Sequence, residues 1–185
     1  MRQVVGLLTI VFLGITVIAY AAVTVPNTFS SGTTISSTEV NNNFTALGNA
    51  MPAGKTAEAT SLALGSTYSN IITLPITAPT AGYVFLTANG MLQLSGKTTA
   101  GYSSIYVGIT NVSGGSPASN NYTRFYLDSS QAGSYEIPYG VHAVFPVTAG
   151  LNTFYLVGIE DGANGSGAAY FNRLTVLFVP GTALP

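Results

Sequence analysis

Cysteine and tryptophan are absent, histidine occurs once, and charged residues make up only 6% of the 185-residue chain. Without cysteine there is no disulfide framework and no thiolate metal site. A lone histidine, His142, leaves no cluster for zinc and would have to be the base of any serine–histidine–acid hydrolase. No Gly-x-Ser-x-Gly elbow accompanies it. On strand alternation it falls opposite Val141, Ala143 and Phe145, on a strand surface. Five lysines and arginines form no basic stripe of the kind that tracks a phosphate backbone, so nucleic acid is not an expected partner. A glycosidase needs two carboxylates flanking a cleft. Glu160 and Asp161 are adjacent and would diverge in a strand, and nothing in the sequence brings Glu136 to Asp128. No residue therefore carries a catalytic assignment, and the chain is expected not to be an enzyme.

What is present is apolar and β-prone. Hydrophobic residues reach 47%, with 11 tyrosines, 9 phenylalanines, 21 glycines and 9 prolines. Low charge combined with that much apolar content is not the composition of a disordered chain.

The first 21 residues, MRQVVGLLTIVFLGITVIAYA, have a short positive start at Arg2, an apolar stretch from Val4 to Ile18 and a small-x-small end at Ala19-Tyr20-Ala21. That is the pattern of a secretory signal peptide. A secreted, extracellular or cell-surface location is expected, with no membrane span after cleavage. A retained anchor is the alternative, since the run from Val4 to Val25 approaches the length of a bilayer span. Cleavage after Ala21 would leave four basic residues against six acidic ones, net −2. Export without cysteine requires a core or an oligomer to supply stability.

Residues 22–56 read as an extended leader and a short helix. Ser36 and Glu39 stand at capping-box spacing. Val40, Phe44, Leu47 and Met51 then recur at intervals of 4, 3 and 4, an a/d seam. Gly48 weakens the helix and Pro52-Ala53-Gly54 ends it. A helix of about 15 residues is marginal alone, so the seam must be buried. It packs either on the chain's own β domain or against equivalent helices as an inter-subunit neck.

From residue 57 to 185 the period becomes two. Strands are expected near 58–64, 69–77, 82–94, 103–111, 122–128, 134–147, 152–160 and 169–179, separated by Gly, Pro, Asn and Ser clusters. Eight strands without a βαβ signal imply an all-β antiparallel jelly-roll sandwich. Several strands are apolar on both faces. Val84, Leu86, Ala88, Leu92 and Leu94 share one side of 82–94, yet Tyr83, Phe85 and Met91 lie on the other. In 152–160, Phe154 and Leu156 oppose Tyr155 and Val157. In the last strand, Leu174, Val176 and Phe178 oppose Leu177 and Val179. One face must cover the core. If these strands share a sheet, its other face needs cover too, and large apolar patches on soluble monomers are rare. Tyr83, Phe85, Met91, Tyr155, Val157, Leu177 and Val179, with the helical seam, are therefore expected to form a subunit interface. By contrast, 103–111 turns Ile105, Val107 and Ile109 inward and Ser104 and Thr110 outward.

The Gly82-Tyr83 strand opening, the Val147-Thr148-Ala149-Gly150 turn before an aromatic-rich strand, and the final strand ending at Val179-Pro180 together resemble the globular heads of the complement and tumour-necrosis-factor-like superfamily over roughly residues 57–180. The segment VPNTFSSGTTISSTEVNNNFTAL resembles leaders of secreted bacterial proteins carrying stalks or trimeric heads. The first resemblance implies a homotrimer whose inner sheets meet about a three-fold axis and which acts in recognition or as a structural cap. The chain lacks the collagen-like stalk of that family, which leaves the neck to the short helix.

Tyr102, Tyr122, Tyr126, Tyr135 and Tyr139 fall in or beside the expected outer loops. Tyrosine offers rigid amphipathic contact area, so these five are a candidate ligand surface, with surface glycan as the candidate ligand. No cofactor is expected. Calcium at the Glu160-Asp161 loop is the one alternative, because oxygen ligands suit it, although the loop fails the Asp-x-Asp-x-Asp-Gly spacing. The leading expectation is thus a secreted, non-enzymatic structural or attachment protein whose partner is itself. The alternatives are a filament subunit that adds its extended Ala22–Val25 segment as a strand to a neighbour, and a carbohydrate-binding module.

Overall fold

Period-two patterning becomes eight strands in a computed structural model that describes residues 25–162 and 164–181. The expected signal segment, residues 1–21, lies outside the described residues. Among the described residues no helix is long and apolar enough to cross a membrane. The chain divides into two units at Met51/Pro52.

In the first unit, α1 spans Ser37–Asn49. Glu39 accepts a hydrogen bond from the Ser36 backbone N–H at 3.4 Å, one arm of the anticipated capping arrangement. The leader doubles back along this helix. The Asn27 backbone N–H donates to Asn43 Oδ1 at 2.9 Å, and Asn43 Nδ2 donates to the Asn27 carbonyl at 2.8 Å. Asn27 Nδ2 also reaches the Glu39 carbonyl at 3.2 Å.

The second unit contains β1 Ala53–Ala63, β2 Ser69–Ala78, β3 Gly82–Lys97 and β4 Ser103–Thr110, then β5 Tyr122–Leu127, β6 Gly133–Val147, β7 Gly150–Asp161 and β8 Ser166–Pro180. Each expected run is a strand. β1 differs most: it opens at Ala53 instead of 58, because Ala53 to Ala59 pair with β8 from Phe178 back to Asn172. Ladder pairing along an edge overrides the weak strand preference of Ala-Gly-Lys.

The strands form two four-stranded sheets, ordered β1-β8-β3-β6 and β2-β7-β4-β5. The pairs β1·β8, β2·β7, β3·β6 and β4·β5 are all antiparallel. The chain is in effect one long hairpin, rolled so that β3 meets β8 and β4 meets β7. This is the jelly roll anticipated. Between the sheets lie Val84, Leu86, Leu92, Leu94, Leu174, Val176 and Phe178 from one, and Leu74, Ile105, Val107, Ile109, Phe154 and Leu156 from the other, all essentially inaccessible. The inner sides of β3, β4, β7 and β8 are those alternation assigned.

One departure from regularity shapes the outer surface. Opposite Gly90, β8 carries an extra residue, so the register passes from Asn89↔Arg173 to Met91↔Tyr170. Phe171 in this bulge has φ 51°, a left-handed conformation that glycine ordinarily supplies. The bulge turns Asn172 inward, where it is buried and accepts the Tyr139 hydroxyl at 2.6 Å. A Cβ on Gly90 would come within 2.8–2.9 Å of Tyr139 and Asn172, so glycine makes room for that pair.

Candidate functional site

The outer face of β6-β3-β8 carries two apolar rows across three strands. Val144, Phe85 and Leu177 are register partners, as are Pro146, Tyr83 and Val179. Val144, Phe85 and Leu177 are each 45% exposed. These rows lie at one end of the sheet. Next comes a polar band of His142, Thr87, Thr175 and Thr56, then Asn89 and an exposed Arg173–Glu58 ion pair at 2.6 Å. Beyond that band, apolar surface returns with Met91, Tyr170 and Phe171. The Phe171 ring is 73% exposed and borders two hollows, one lined by Glu58, Asn89 and Arg173, the other by Met91, Gln93 and Glu136. Of the interface residues expected from the sequence, Tyr83, Phe85, Met91, Leu177 and Val179 thus share one face. Val144, Pro146 and Phe171 were missed. The first two were legible, since they alternate with Ala143, Phe145 and Val147. Phe171 was not, because a bulge is invisible to a period-two reading.

Tyr155 and Val157 do not belong to this face. β7 lies in the opposite sheet, and Val157 is fully buried within the chain. Its register partners are Asn70 and Gly108. Segment 111–121 crosses the sheet at both. Asn70 Nδ2 donates to Ser113 Oγ and its Oδ1 accepts the Gly114 N–H, each at 2.8 Å, while Pro117 and the Asn121 carbonyl close over Gly108. The chain's own loop supplies the cover that a neighbour was expected to supply.

In α1 no residue is buried. Phe44, Leu47 and Met51 are exposed, Phe44 by 67%, and Val40 is half-buried. Within its own unit the a/d seam is an apolar stripe without cover.

The five tyrosines divide. Tyr135 and Tyr139 lie on the inner side of β6, in phase with Val141 and Ala143, so neither is a ligand-surface residue. The Tyr135 ring meets Phe125 edge-on at 6.5 Å, and its hydroxyl donates to the Ala132 carbonyl. Tyr139 is buried, and that burial pushes its phenol above the ordinary 10.0. Tyr122 and Tyr126 do stand on the outer face of β5, with Arg124 between them. The Arg124 guanidinium lies 4.6 Å from the Tyr126 ring centre and 4.9 Å from that of Tyr106, its cross-strand partner on β4. Tyr102 stacks on Tyr126 at 6.1 Å and Tyr106 meets Tyr122 at 5.6 Å. Tyr102, Tyr122 and Tyr126 are the rings expected from the sequence. Tyr106 and Arg124 were not expected, although the alternation Tyr-Thr-Arg-Phe-Tyr places 122, 124 and 126 together.

Glu160 is buried and accepts the Gly167 N–H at 2.7 Å, whereas Asp161 is exposed. The two carboxylates that motivated a calcium site lie on opposite faces of β7. Among the described residues no group of three or more His, Cys, Asp or Glu could hold a metal. Lys97 is the buried cation, its ammonium donating to the carbonyls of Thr98, Gly101 and Gln131 at 2.6–3.0 Å. It ties down the loop that carries Tyr102. Asp128 closes the β5–β6 turn. The Ser130 hydroxyl, and secondarily its N–H, hold this carboxyl below the ordinary 3.8.

No protein-family model matches the chain, and no curated protein matches it. Among solved structures it is similar to that of infectious bursal disease virus, Gx strain (13% identity, TM-score 0.41), over 72% of this chain and 34% of that one. It is also similar to dimeric latent PorU from Porphyromonas gingivalis (9%, 0.45), over 69% of this chain and 13% of that one. A third similarity is to the tripod from the baseplate of bacteriophage Tuc2009 (14%, 0.34), over 84% and 98%. The chain thus spans about a third of the length of the first of these. Similarities this distant bear on neither the site nor the function.

Proposed function

We propose that this is an exported, non-enzymatic structural or attachment protein that works as a self-associating jelly-roll head. Its copies meet through the outer face of β6-β3-β8, and the α1 seams form a neck. The observation that carries this reading is the pair of apolar rows, Val144–Phe85–Leu177 and Pro146–Tyr83–Val179, left only partly covered on one outer face of the sandwich. The occupant is a second copy because the same chain also leaves its helical seam open. Phe171 supports this. Its left-handed backbone costs roughly 1–3 kcal/mol, and its ring, although it meets the neighbouring Tyr170 ring at 6.4 Å, stays 73% exposed.

The filament alternative is less favoured. Asn27, two residues beyond the Ala22–Val25 strand that would be donated, is bonded to the helix at both backbone N–H and carbonyl. A stoichiometry of three follows the family resemblance. Sedimentation equilibrium on the full chain tests the proposal: a mass three times that of the chain is expected at micromolar concentration, and a monomer there overturns it.

A further inference from the structure

The side of the sandwich away from the proposed interface carries a construction that self-association does not use. Arg124 is clamped between the Tyr106 and Tyr126 rings. Its one hydrogen bond among the described residues is a long one, from Nη2 to Ser104 Oγ at 3.4 Å. Among the described residues it has no carboxylate partner. Among the described residues the other lysines and arginines are committed: Arg173 to Glu58, Lys97 to three carbonyls, and Lys55 to the Pro75 carbonyl at 2.8 Å. A guanidinium immobilised between rings has already lost its rotamer freedom. It therefore presents its free N–H edge to an anion at little further entropic cost.

The anion has a surrounding. Tyr122, Arg124 and Tyr126 alternate along β5, an edge strand, and Tyr122 to Tyr126 spans roughly 13 Å at strand rise. Tyr102 extends the row by 6.1 Å. It opens onto a groove of about 380 Å3 lined by Thr98, Gly101 and Asn164. That groove is braced: Asn164 Oδ1 accepts the Thr98 N–H and hydroxyl, and its Nδ2 donates to the Thr98 carbonyl, all at 2.9 Å. A row of rigid rings edged with hydroxyls suits a ligand with flat C–H faces and polar rims, which is the surface of a sugar ring. One unpaired guanidinium is too few for a phosphate backbone.

Charge narrows the class further. Exposed Asp128 continues the outward face of β5 beyond Tyr126, and exposed Asp161 is the register partner of Ser104. Negative groups on the ligand are thus welcome at Arg124 and repelled toward the Tyr102 end. We infer that the outer face of β4-β5 is a binding site for an acidic oligosaccharide with isolated carboxylates. Arg124 takes one carboxylate as a bidentate pair, and neighbouring sugars stack on Tyr122, Tyr126 and Tyr102.

Calorimetric titration of the full chain tests this with three probes of equal length. They are an oligosaccharide alternating glucuronate with N-acetylglucosamine, a neutral N-acetylglucosamine oligomer, and a heavily sulfated heparin oligomer. The glucuronate probe is expected to bind at least about tenfold tighter than the neutral one, the worth of a charge-assisted pair. It is also expected to bind tighter than heparin. Arg124→Gln should erase the advantage over the neutral probe, while Tyr126→Ala should weaken both non-sulfated probes. Both positions are exposed, and thermal unfolding checks that the variants fold. No saturable binding of the glucuronate probe, tighter binding of heparin, or unchanged affinity in a folded Arg124→Gln would each overturn the assignment. The solution mass should be the same in Arg124→Gln as in the native chain, which separates this site from the self-association face.

Discussion

Leu177→Glu places a carboxylate at the centre of the proposed subunit contact, and its effect can be worked from the burial. Full burial of a leucine or phenylalanine is worth about 1.5–3 kcal/mol. Phe85, Val144 and Leu177 each keep 45% of their surface exposed, so each has about 1 kcal/mol still to gain on association. The substitution forfeits that gain and adds the cost of desolvating an unpaired carboxylate, several kcal/mol in a dry contact. A combined loss of about 4 kcal/mol weakens association roughly a thousandfold. The subunit itself should barely change. Leu177 faces outward between Phe85 and Gly54, while its neighbours Val176 and Phe178 remain in the core. Losing its pairing with Phe85 costs only about 0.2–1 kcal/mol of fold stability. Sedimentation velocity over a dilution series reads the dissociation constant, with Thr77→Glu on the opposite sheet as control. If Leu177→Glu assembles within tenfold of the native protein, or if Thr77→Glu dissociates it equally, the reasoning about this face is wrong.

Phe171→Gly should stabilise the isolated subunit by about 1 kcal/mol, because glycine accepts the left-handed backbone, yet weaken self-association by removing the exposed ring; denaturant titration and sedimentation read the two effects separately. Tyr139→Phe should cost about 1–3 kcal/mol at neutral pH by leaving Asn172 Oδ1 buried without its donor. Because burial raises the Tyr139 pKa, its contribution is complete below pH 10.0 and is lost as pH climbs above that value toward the raised one, so alkaline melts of the variant should fall less steeply than those of the native protein. Lys97→Met should leave three carbonyls without a donor, lower stability by about 1–3 kcal/mol and speed proteolysis of the 98–102 loop.

The strands were legible because their alternation is strong. The apolar positions of 82–94, 103–111 and 169–179 fall on the faces that the core uses, and the Val147-Thr148-Ala149-Gly150 turn is a turn, with Gly150 at φ 106°. Sheet membership was not legible. β3, β7 and β8 are all apolar on both sides, and that property alone cannot tell a strand facing a neighbour from one covered by its own loop. Pro117 and Asn121 decide it for Val157 by folding over Gly108, a contact of a loop with the strand before it that no periodicity encodes. Tyr135 and Tyr139 were misassigned by their nearness to loops, although their phase with Val141 placed them inside. The Arg124 clamp joins two strands through register, and register is set by pairing, which a single strand's pattern does not contain.

Chemical accessibility at Thr87 addresses self-association most directly. Thr87 sits midway across the outer face of β3, between His142 and Thr175, and the chain has no cysteine of its own. Single variants Thr87→Cys and Thr77→Cys, treated with a maleimide at micromolar protein, should differ: slow labelling at 87, released on dilution, and fast labelling at 77 throughout. Equal, fast labelling at both positions at every concentration would mean that this face meets only water.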